Sequence, residues 1–217
     1  MLMVYAIPVS LYCAKLRILL RAKGLEWEEV PPPGGYGSDE YKTVVPSGNL
    51  PALRDGDLLL ADSEAIAEYL EERYPDPSML PGDTAVRAKL RERGRFHDTR
   101  LEPAVRALFP YLPGRAEASD GFLERQSAEI SARLGQLARM LEDTPEAGAT
   151  LTLGDCAYPI TFAWIDALAP RMGWQIVWPD GVHDYRQRLA AAPAVGTELA
   201  SYGPRLDAFL ATPKHDD

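Results

Sequence analysis

A short strand that runs almost directly into a helix constrains this chain more than any other feature. Met3-Val4-Tyr5-Ala6-Ile7 is an apolar run of strand length. Pro8 ends it, because proline brings no N–H to a ladder. From Tyr12 onward, Leu16, Leu19 and Leu20 recur at helical spacing, and Lys15, Arg17, Arg21 and Lys23 make the other face. Gly24 takes the position just past the helix end that favours a residue without a Cβ. Ser10 therefore stands where free backbone N–H groups and the positive end of a helix dipole converge. Such a place stabilises a thiolate or an oxyanion, and it equally suits a serine that only caps the helix.

The next stretch continues in mixed strand and helix. Leu25 to Val30 alternates apolar with polar, so strand, helix and strand form a βαβ unit with a parallel pair. Pro31 to Gly37 is a loop, and Ser38 to Val45 predicts a short helix. Pro51 opens a third strand, Asp55-Gly56-Asp57 turns it, and Leu58-Leu59-Leu60 returns. Ala61 to Leu70 reads as a helix with Ser63 as N-cap, closed by Tyr74-Pro75.

Past a turn-rich segment at 76–84 the pattern becomes helical throughout. Val86, Leu90, Gly94, His97, Leu101, Val105, Leu108 and Leu112 form one stripe, which Pro103 should kink. Leu123, Ser127, Ile130, Leu134, Leu137 and Leu141 form a second, so the two stripes predict a pair of long antiparallel bundle helices. His97 lies on the first stripe and reads as a satisfied core histidine. Thr152-Leu153-Gly154-Asp155 is a capping box in its aspartate form, with Leu151 and Cys156 placed for a hydrophobic staple. The helix it opens is apolar on most sides and should be central. A long connection at 171–178 and short terminal helices over 182–210 complete the pattern.

Charge and cysteine content remove several classes of function. Net charge is −9, and the acidic excess holds both before and after residue 75. Binding to nucleic acid or to an anionic membrane is therefore disfavoured. Cys13 and Cys156 are far apart and lack metal-ligand spacing, which argues against a disulfide framework and against structural zinc. The start lacks the pattern of a secretory signal, and no stretch approaches the roughly 20 apolar residues of a membrane span. The expectation is a cytoplasmic enzyme-sized protein without a metal.

Ser10-Leu11-Tyr12-Cys13 has the frame of a C-x-x-C motif with serine in the first place. Together with Leu16-Arg17-Ile18 and Lys23-Gly24, it resembles the first βα unit of the glutathione S-transferases. Ser10 then falls where the serine or cysteine of the zeta- and omega-like classes stands. Asn49-Leu50-Pro51 resembles the family's polar-valine-proline signature, whose proline is cis. Asp62-Ser63-Glu64-Ala65-Ile66, followed by Tyr69-Leu70 and Tyr74-Pro75, resembles its E-S-x-A-I…YL…YP pattern, with Asp62 one methylene shorter than the usual glutamate. Thr152 to Asp155 resembles the S/T-x-x-D element of its helical domain. These motifs follow one another in family order over nearly the whole chain.

The resemblance implies an α/β plus all-α fold: a thioredoxin-like domain over 1–75, a linker at 76–84 and a helical bundle over 85–217. It implies a transferase that activates the thiol of glutathione, its co-substrate, for attack on a small electrophile. Ser10 would be the hydroxyl donor, with Tyr12 and Cys13 as rivals. Asn49, Leu50, Pro51, Asp62 and Ser63 would hold the tripeptide, the Leu50 backbone in the manner of strand addition and Asp62-Ser63 at an amino-acid head group. Arg106, Phe109, Tyr111 and Arg115 are candidates for an electrophile pocket between the domains. The zeta S-S-C signature is absent, because Leu11 and Tyr12 fill its second and third places. Alternatives are a maleylacetoacetate- or maleylpyruvate-type isomerase, a noncatalytic glutathione-fold binding protein, and a thiol oxidoreductase using Cys13. The family further implies a detoxifying homodimer.

Overall fold

The computed structural model describes residues 1–112, 116–144, 151–174 and 176–212. It divides into two units, Met1–Leu80 and Pro81–Asp217. The break falls inside the turn-rich segment. Met79 and Leu80 stay with the first unit, because both of their N–H groups donate to Glu71.

The first unit runs β1 (Leu2–Tyr5), α1 (Leu11–Ala22), β2 (Trp27–Val30), α2 (Asp39–Val44), β3 (Ala52–Asp55), β4 (Leu58–Ala61) and α3 (Ser63–Arg73). The strands form one sheet in the order β2-β1-β3-β4. β1 and β2 are parallel, as a βαβ unit requires, while β3 is antiparallel to both β1 and β4. Buried Tyr41 and Val45, from α2 and its end, pack on Ala52, with Tyr5, Leu50 and Leu59 around them. The hairpin turn is tied to α3, because the Tyr69 and Tyr74 hydroxyls both donate to Asp55, at 2.8 and 3.2 Å.

The face of α1 opposite its leucines departs from a polar surface. Lys15, Arg17 and Lys23 are all buried. Each has an acidic partner elsewhere in the unit: Glu64 for Lys15, Glu29 for Arg17 and Glu71 for Lys23, at 2.6–2.7 Å. A charge leaves water only when it is paired and hydrogen-bonded. Lys23 meets that condition fully, since it also donates to the Tyr74 and Pro77 carbonyls at 2.7 and 2.9 Å.

The second unit comprises α4 (Thr84–Phe96), α5 (Glu102–Arg106), α6 (Phe122–Glu142), α7 (Tyr158–Arg171), α8 (Asp180–Ala191) and α9 (Pro193–Ala211). The disturbance expected at Pro103 takes the form of a π-helical turn just upstream. A π-helical turn at His97–Leu101 precedes α5, and the Glu102 N–H reaches back five residues to the His97 carbonyl. The wider turn comes immediately before the position where proline has no N–H to give. α8 and α9 are longer than the short helices expected, at 12 and 19 residues. His97 is buried, with Nδ1 at 2.8 Å from Asp98 and Nε2 at 2.6 Å from the Thr161 hydroxyl. It is a satisfied core residue.

The capping box forms, as a 3₁₀ turn at Leu153–Asp155 two residues ahead of α7. The Asp155 carboxylate accepts from the Thr152 N–H at 2.8 Å and the Thr152 hydroxyl at 2.7 Å. It also accepts from buried Arg93 of α4 at 2.7 Å and from the Tyr185 hydroxyl of α8 at 2.5 Å. α7 is buried on most sides, as its composition predicts, and Cys156 is buried in packing. Gly154 allows this turn to lie against α4: a Cβ there would stand 2.2 Å from the Leu90 carbonyl oxygen. Gly154→Ala should therefore cost about 1–3 kcal/mol or more through overpacking against backbone. A urea midpoint equal to that of the wild type would show that the turn yields.

Candidate functional site

Strand register decides which candidate residues meet. Tyr5 pairs with Ala52, and Ala52 pairs with Ala61. One step further along, Ala6, Pro51 and Asp62 lie at the same end of three adjacent strands. The turn carrying Ser10 leaves β1 at that end, and the first turn of α3 begins there. Three motifs separated by some 50 residues of chain thus share one sheet edge.

Ser10 caps α1, and its Oγ accepts from the Cys13 N–H at 3.3 Å. Accepting that bond leaves the hydroxyl proton for another acceptor. The turn before it is held by Arg17, whose guanidinium grips Glu29 with two nitrogens and donates to the Ile7 and Pro8 carbonyls at 3.2 and 3.4 Å. Cys13, at 1% exposure, points inward. Burial pushes its thiol up, and the neighbouring Ser10 hydroxyl, Ile7 backbone and Arg17 charge do not bring it back to the ordinary value. A protonated, enclosed thiol is a poor nucleophile. Tyr12 is half-buried, and the Lys15 ammonium lies 6.0 Å from its ring centroid.

The Leu50–Pro51 bond is cis. The segment before it is anchored from α2, because the buried Tyr41 hydroxyl donates to the Asn49 carbonyl at 2.8 Å. Burial drives the Tyr41 phenol far up, which keeps it a donor. The Asp76–Pro77 bond is also cis, and nothing in the sequence pattern marked it.

At the start of α3 the expected cap is displaced by one residue. Asp62, not Ser63, is the N-cap, and its Oδ1 accepts from the Glu64 and Ala65 N–H groups at 2.9 and 3.2 Å. Asp62 holds φ +101°, the only positive φ outside glycine among the described residues. A conformation of that kind costs about 1–3 kcal/mol and tends to occur at functional sites. The shift frees Ser63. Its hydroxyl, and Oδ2 of Asp62, make no hydrogen bond among the described residues. The buried Lys15 ammonium holds Glu64 at 2.7 Å and so pins the first turns of α1 and α3 together. Neither Lys15 nor Glu64 was a candidate from sequence, because a pair 49 residues apart leaves no local signal.

Chemically, this edge offers a hydroxyl at one helix start, backbone beside a cis-proline, and a hydroxyl–carboxylate pair at a second helix start. That set fits an extended peptide with an amino-acid head group at Asp62-Ser63 and an anion beside Ser10. The remaining candidates lie in the second unit. Arg106 is ion-paired with Glu102 and stacks 5.3 Å from the Phe109 ring. Phe109 stacks on Trp164 at 4.5 Å, and Tyr111 tilts onto Phe122 at 4.7 Å. Arg115 lies outside the described residues. Among the described residues no group of side chains has the makings of a metal site, and no helix is long and apolar enough to cross a membrane.

A family model described as the glutathione S-transferase N-terminal domain matches residues 4–78. Glutathione S-transferase 3 of Zea mays is 30% identical over 213 residues, covering 92% of this chain and 94% of that protein. Glutathione S-transferase Z2 of Arabidopsis thaliana is 36% identical over 113 residues, half of each chain. This chain thus spans about half the length of that relative, and 36% of glutathione S-transferase Z1 from the same plant. Among solved structures, a delta-class glutathione transferase of Nilaparvata lugens superposes with a TM-score of 0.78, covering 96% of this chain and 99% of that one at 24% identity. At that identity the likeness establishes the fold.

Proposed function

Because this chain belongs to the glutathione S-transferase family, we propose that it activates the glutathione thiol for attack on a small electrophile, with Ser10 as the activating donor. The observation that carries the reading is the shared sheet edge, with Lys15 and Glu64 fixing the two helix starts that face a common ligand. The Ser63 hydroxyl and the α3 N-terminus receive the head-group carboxylate, and Asp62 Oδ2 receives the ammonium. The Leu50 backbone aligns the peptide, with Asn49 and Pro51 shaping that segment. A thiol of pKa about 8.5 is mostly protonated at neutral pH. Placed beside the Ser10 hydroxyl and the α1 N-terminus, it releases its proton to solvent more readily, because both favour the thiolate. The thiolate then forms a carbon–sulfur bond to the electrophile, which expels a leaving group such as halide or, at an activated double bond, takes the displaced electron pair and a proton from water.

Arg106, Phe109, Tyr111 and Arg115 are assigned to the electrophile pocket. Holding a dicarboxylate there would take free cationic forks, and Arg106 is already paired with Glu102. Conjugation or thiol exchange therefore fits better than isomerisation. The reading also makes the protein a cytoplasmic homodimer that detoxifies electrophiles, since two-fold pairing is the commonest assembly of soluble chains. Sedimentation at the mass of a single chain would remove the dimer.

Titrating the bound thiol by thiolate absorbance tests the central claim. The wild type should titrate below free glutathione. Ser10→Ala should raise the midpoint by about 1–2 pH units, the worth of a hydrogen bond to a charged group, while glutathione affinity stays nearly constant. A midpoint in the wild type equal to that of free glutathione would favour a noncatalytic binding protein. A depression kept in Ser10→Ala but lost in Cys13→Ser would move the chemistry to Cys13.

A further inference from the structure

The C-terminal end of α7 builds a cleft that the glutathione reading does not use. Gly173 takes φ +72°, and the Trp174 N–H reaches back to the Ala169 carbonyl at 3.1 Å, the six-to-one bond of a Schellman motif. This reversal sets the Trp174 side chain beside the helix end. With Asp166, Ala169, Pro170, Ile176 and Trp178 it lines a cleft of about 590 Å³, within the size range of small-molecule sites.

Three properties of the cleft restrict its occupant. Its walls are two indoles and three apolar side chains, which favours a flat aromatic body. The Trp174 indole nitrogen is buried and has no hydrogen-bond partner among the described residues. A buried donor left unmet costs about 1–3 kcal/mol, so an occupant carrying an acceptor gains over a bare hydrocarbon. The carboxylate in the lining, Asp166, accepts from Arg186 through Oδ2, and Oδ1 makes no hydrogen bond among the described residues. The Asp166 side chain is half exposed, so its free oxygen exchanges water for a ligand's donor, and its charge disfavours an anion. A cation gains little, since Arg186 already neutralises Asp166 and occupies a face of Trp178, its guanidinium carbon 3.7 Å from the ring centroid.

We propose that this cleft is a binding site for neutral, flat aromatic molecules bearing hydroxyl groups, that is, phenols and their polycyclic relatives. A hydroxyl both accepts, from the Trp174 indole N–H, and donates, to Asp166 Oδ1. The stacked Arg186 holds Trp178 upright as a wall, helped by the edge-on contact of Trp178 with Phe162 at 5.3 Å. The site lies wholly within the second unit, so binding there needs neither Ser10 nor glutathione.

The indole N–H signals in an NMR spectrum of the full chain test it directly. The sequence holds four tryptophans, and Trp174→Phe identifies the signal in question. Naphthol, added without glutathione, should shift the Trp174 signal saturably and more than those of Trp27 and Trp164. Naphthalene and naphthoate should bind more weakly, and Asp166→Asn should weaken naphthol roughly threefold, the worth of a hydrogen bond made at a carboxylate still open to water. Ser10→Ala should leave the titration unchanged, which separates this result from any failure of the thiolate reading. The proposal is overturned if naphthol gives no saturable shift at Trp174, if naphthalene or naphthoate does as well, or if Asp166→Asn binds like the wild type.

Discussion

Asp155→Ala should lower the stability of the second unit by at least about 3–5 kcal/mol, the usual consequence of removing one partner of a buried ion pair. Asp155 and Arg93 are both essentially without solvent contact. The Asp155 carboxylate serves four donors at once: the Thr152 N–H and hydroxyl, the Arg93 guanidinium and the Tyr185 hydroxyl. Burial, and after it the negative charge of Asp155, push the Tyr185 phenol well up, so it stays a neutral donor. With the carboxylate gone, Arg93 would be a buried cation facing only hydroxyls, and its Nε and Nη1 already lack partners among the described residues. Tryptophan fluorescence in urea is a suitable probe, because three of the four indoles belong to this unit. Combining Asp155→Ala with Arg93→Met should recover much of the loss, since the stranded charge is then absent. A single-variant midpoint close to the wild type, or no recovery in the double variant, would show that water enters and solvates Arg93.

Glu71→Ala should cost the first unit a similar amount, about 3–5 kcal/mol. The Lys23 side chain is fully enclosed, and Glu71 is the carboxylate that answers it. The same carboxylate accepts from Ser78 and from the Met79 and Leu80 N–H groups, so it fastens the end of the unit to α1 and α3. Amide hydrogen exchange should show α1 and residues 76–80 losing protection together in the variant. The pH dependence carries a sign that can be checked. Burial raises the Glu71 carboxyl, but Lys23, the Met79 N–H and Ser78 outweigh it and hold the group below its ordinary 4.5. The unfolded chain therefore takes up a proton first as pH falls. The stabilisation is complete above about pH 4.5 and fades as pH drops through the lower folded value. Glu71→Gln should flatten part of that acid slope while Glu29, likewise held low through Arg17, keeps the rest. An unchanged slope in Glu71→Gln would refute the assignment.

The motifs that were legible in the sequence share one physical property: each is complete within a few residues. The contact that defines each spans three positions: Ser10 with the Cys13 N–H, Asp55 paired with Leu58 across its turn, and Thr152 with Asp155, whatever distant partners the fold adds later. Local sterics and hydrogen bonding therefore specify them. The error at α3 has the same origin. Ser63 and Asp62 are both competent caps, and the local signal does not choose between them. The choice came from β4, whose register with β3 brings Asp62 to the strand end and leaves the chain to turn at that residue. At Pro103 the sequence announced a disturbance, and only the packed helix showed it as a π-helical turn upstream of the proline.

By itself, then, the amino-acid order determined the alternation of strand and helix up to the turn-rich segment, the helical stripes beyond it, and the positions of Ser10, Pro51 and Ser63 as separate motifs. Tertiary structure decided what those motifs amount to. It brought them to one sheet edge through strand register, buried Lys15, Arg17 and Lys23 against acids 12 to 49 residues away, and set Arg93 on Asp155 across 62. It also left the buried Trp174 indole N–H without a partner among the described residues. The reason is the range of the forces. Backbone propensity and capping act within a helical turn, whereas the burial of a charge depends on which distant carboxylate the fold delivers, and no local pattern encodes that meeting.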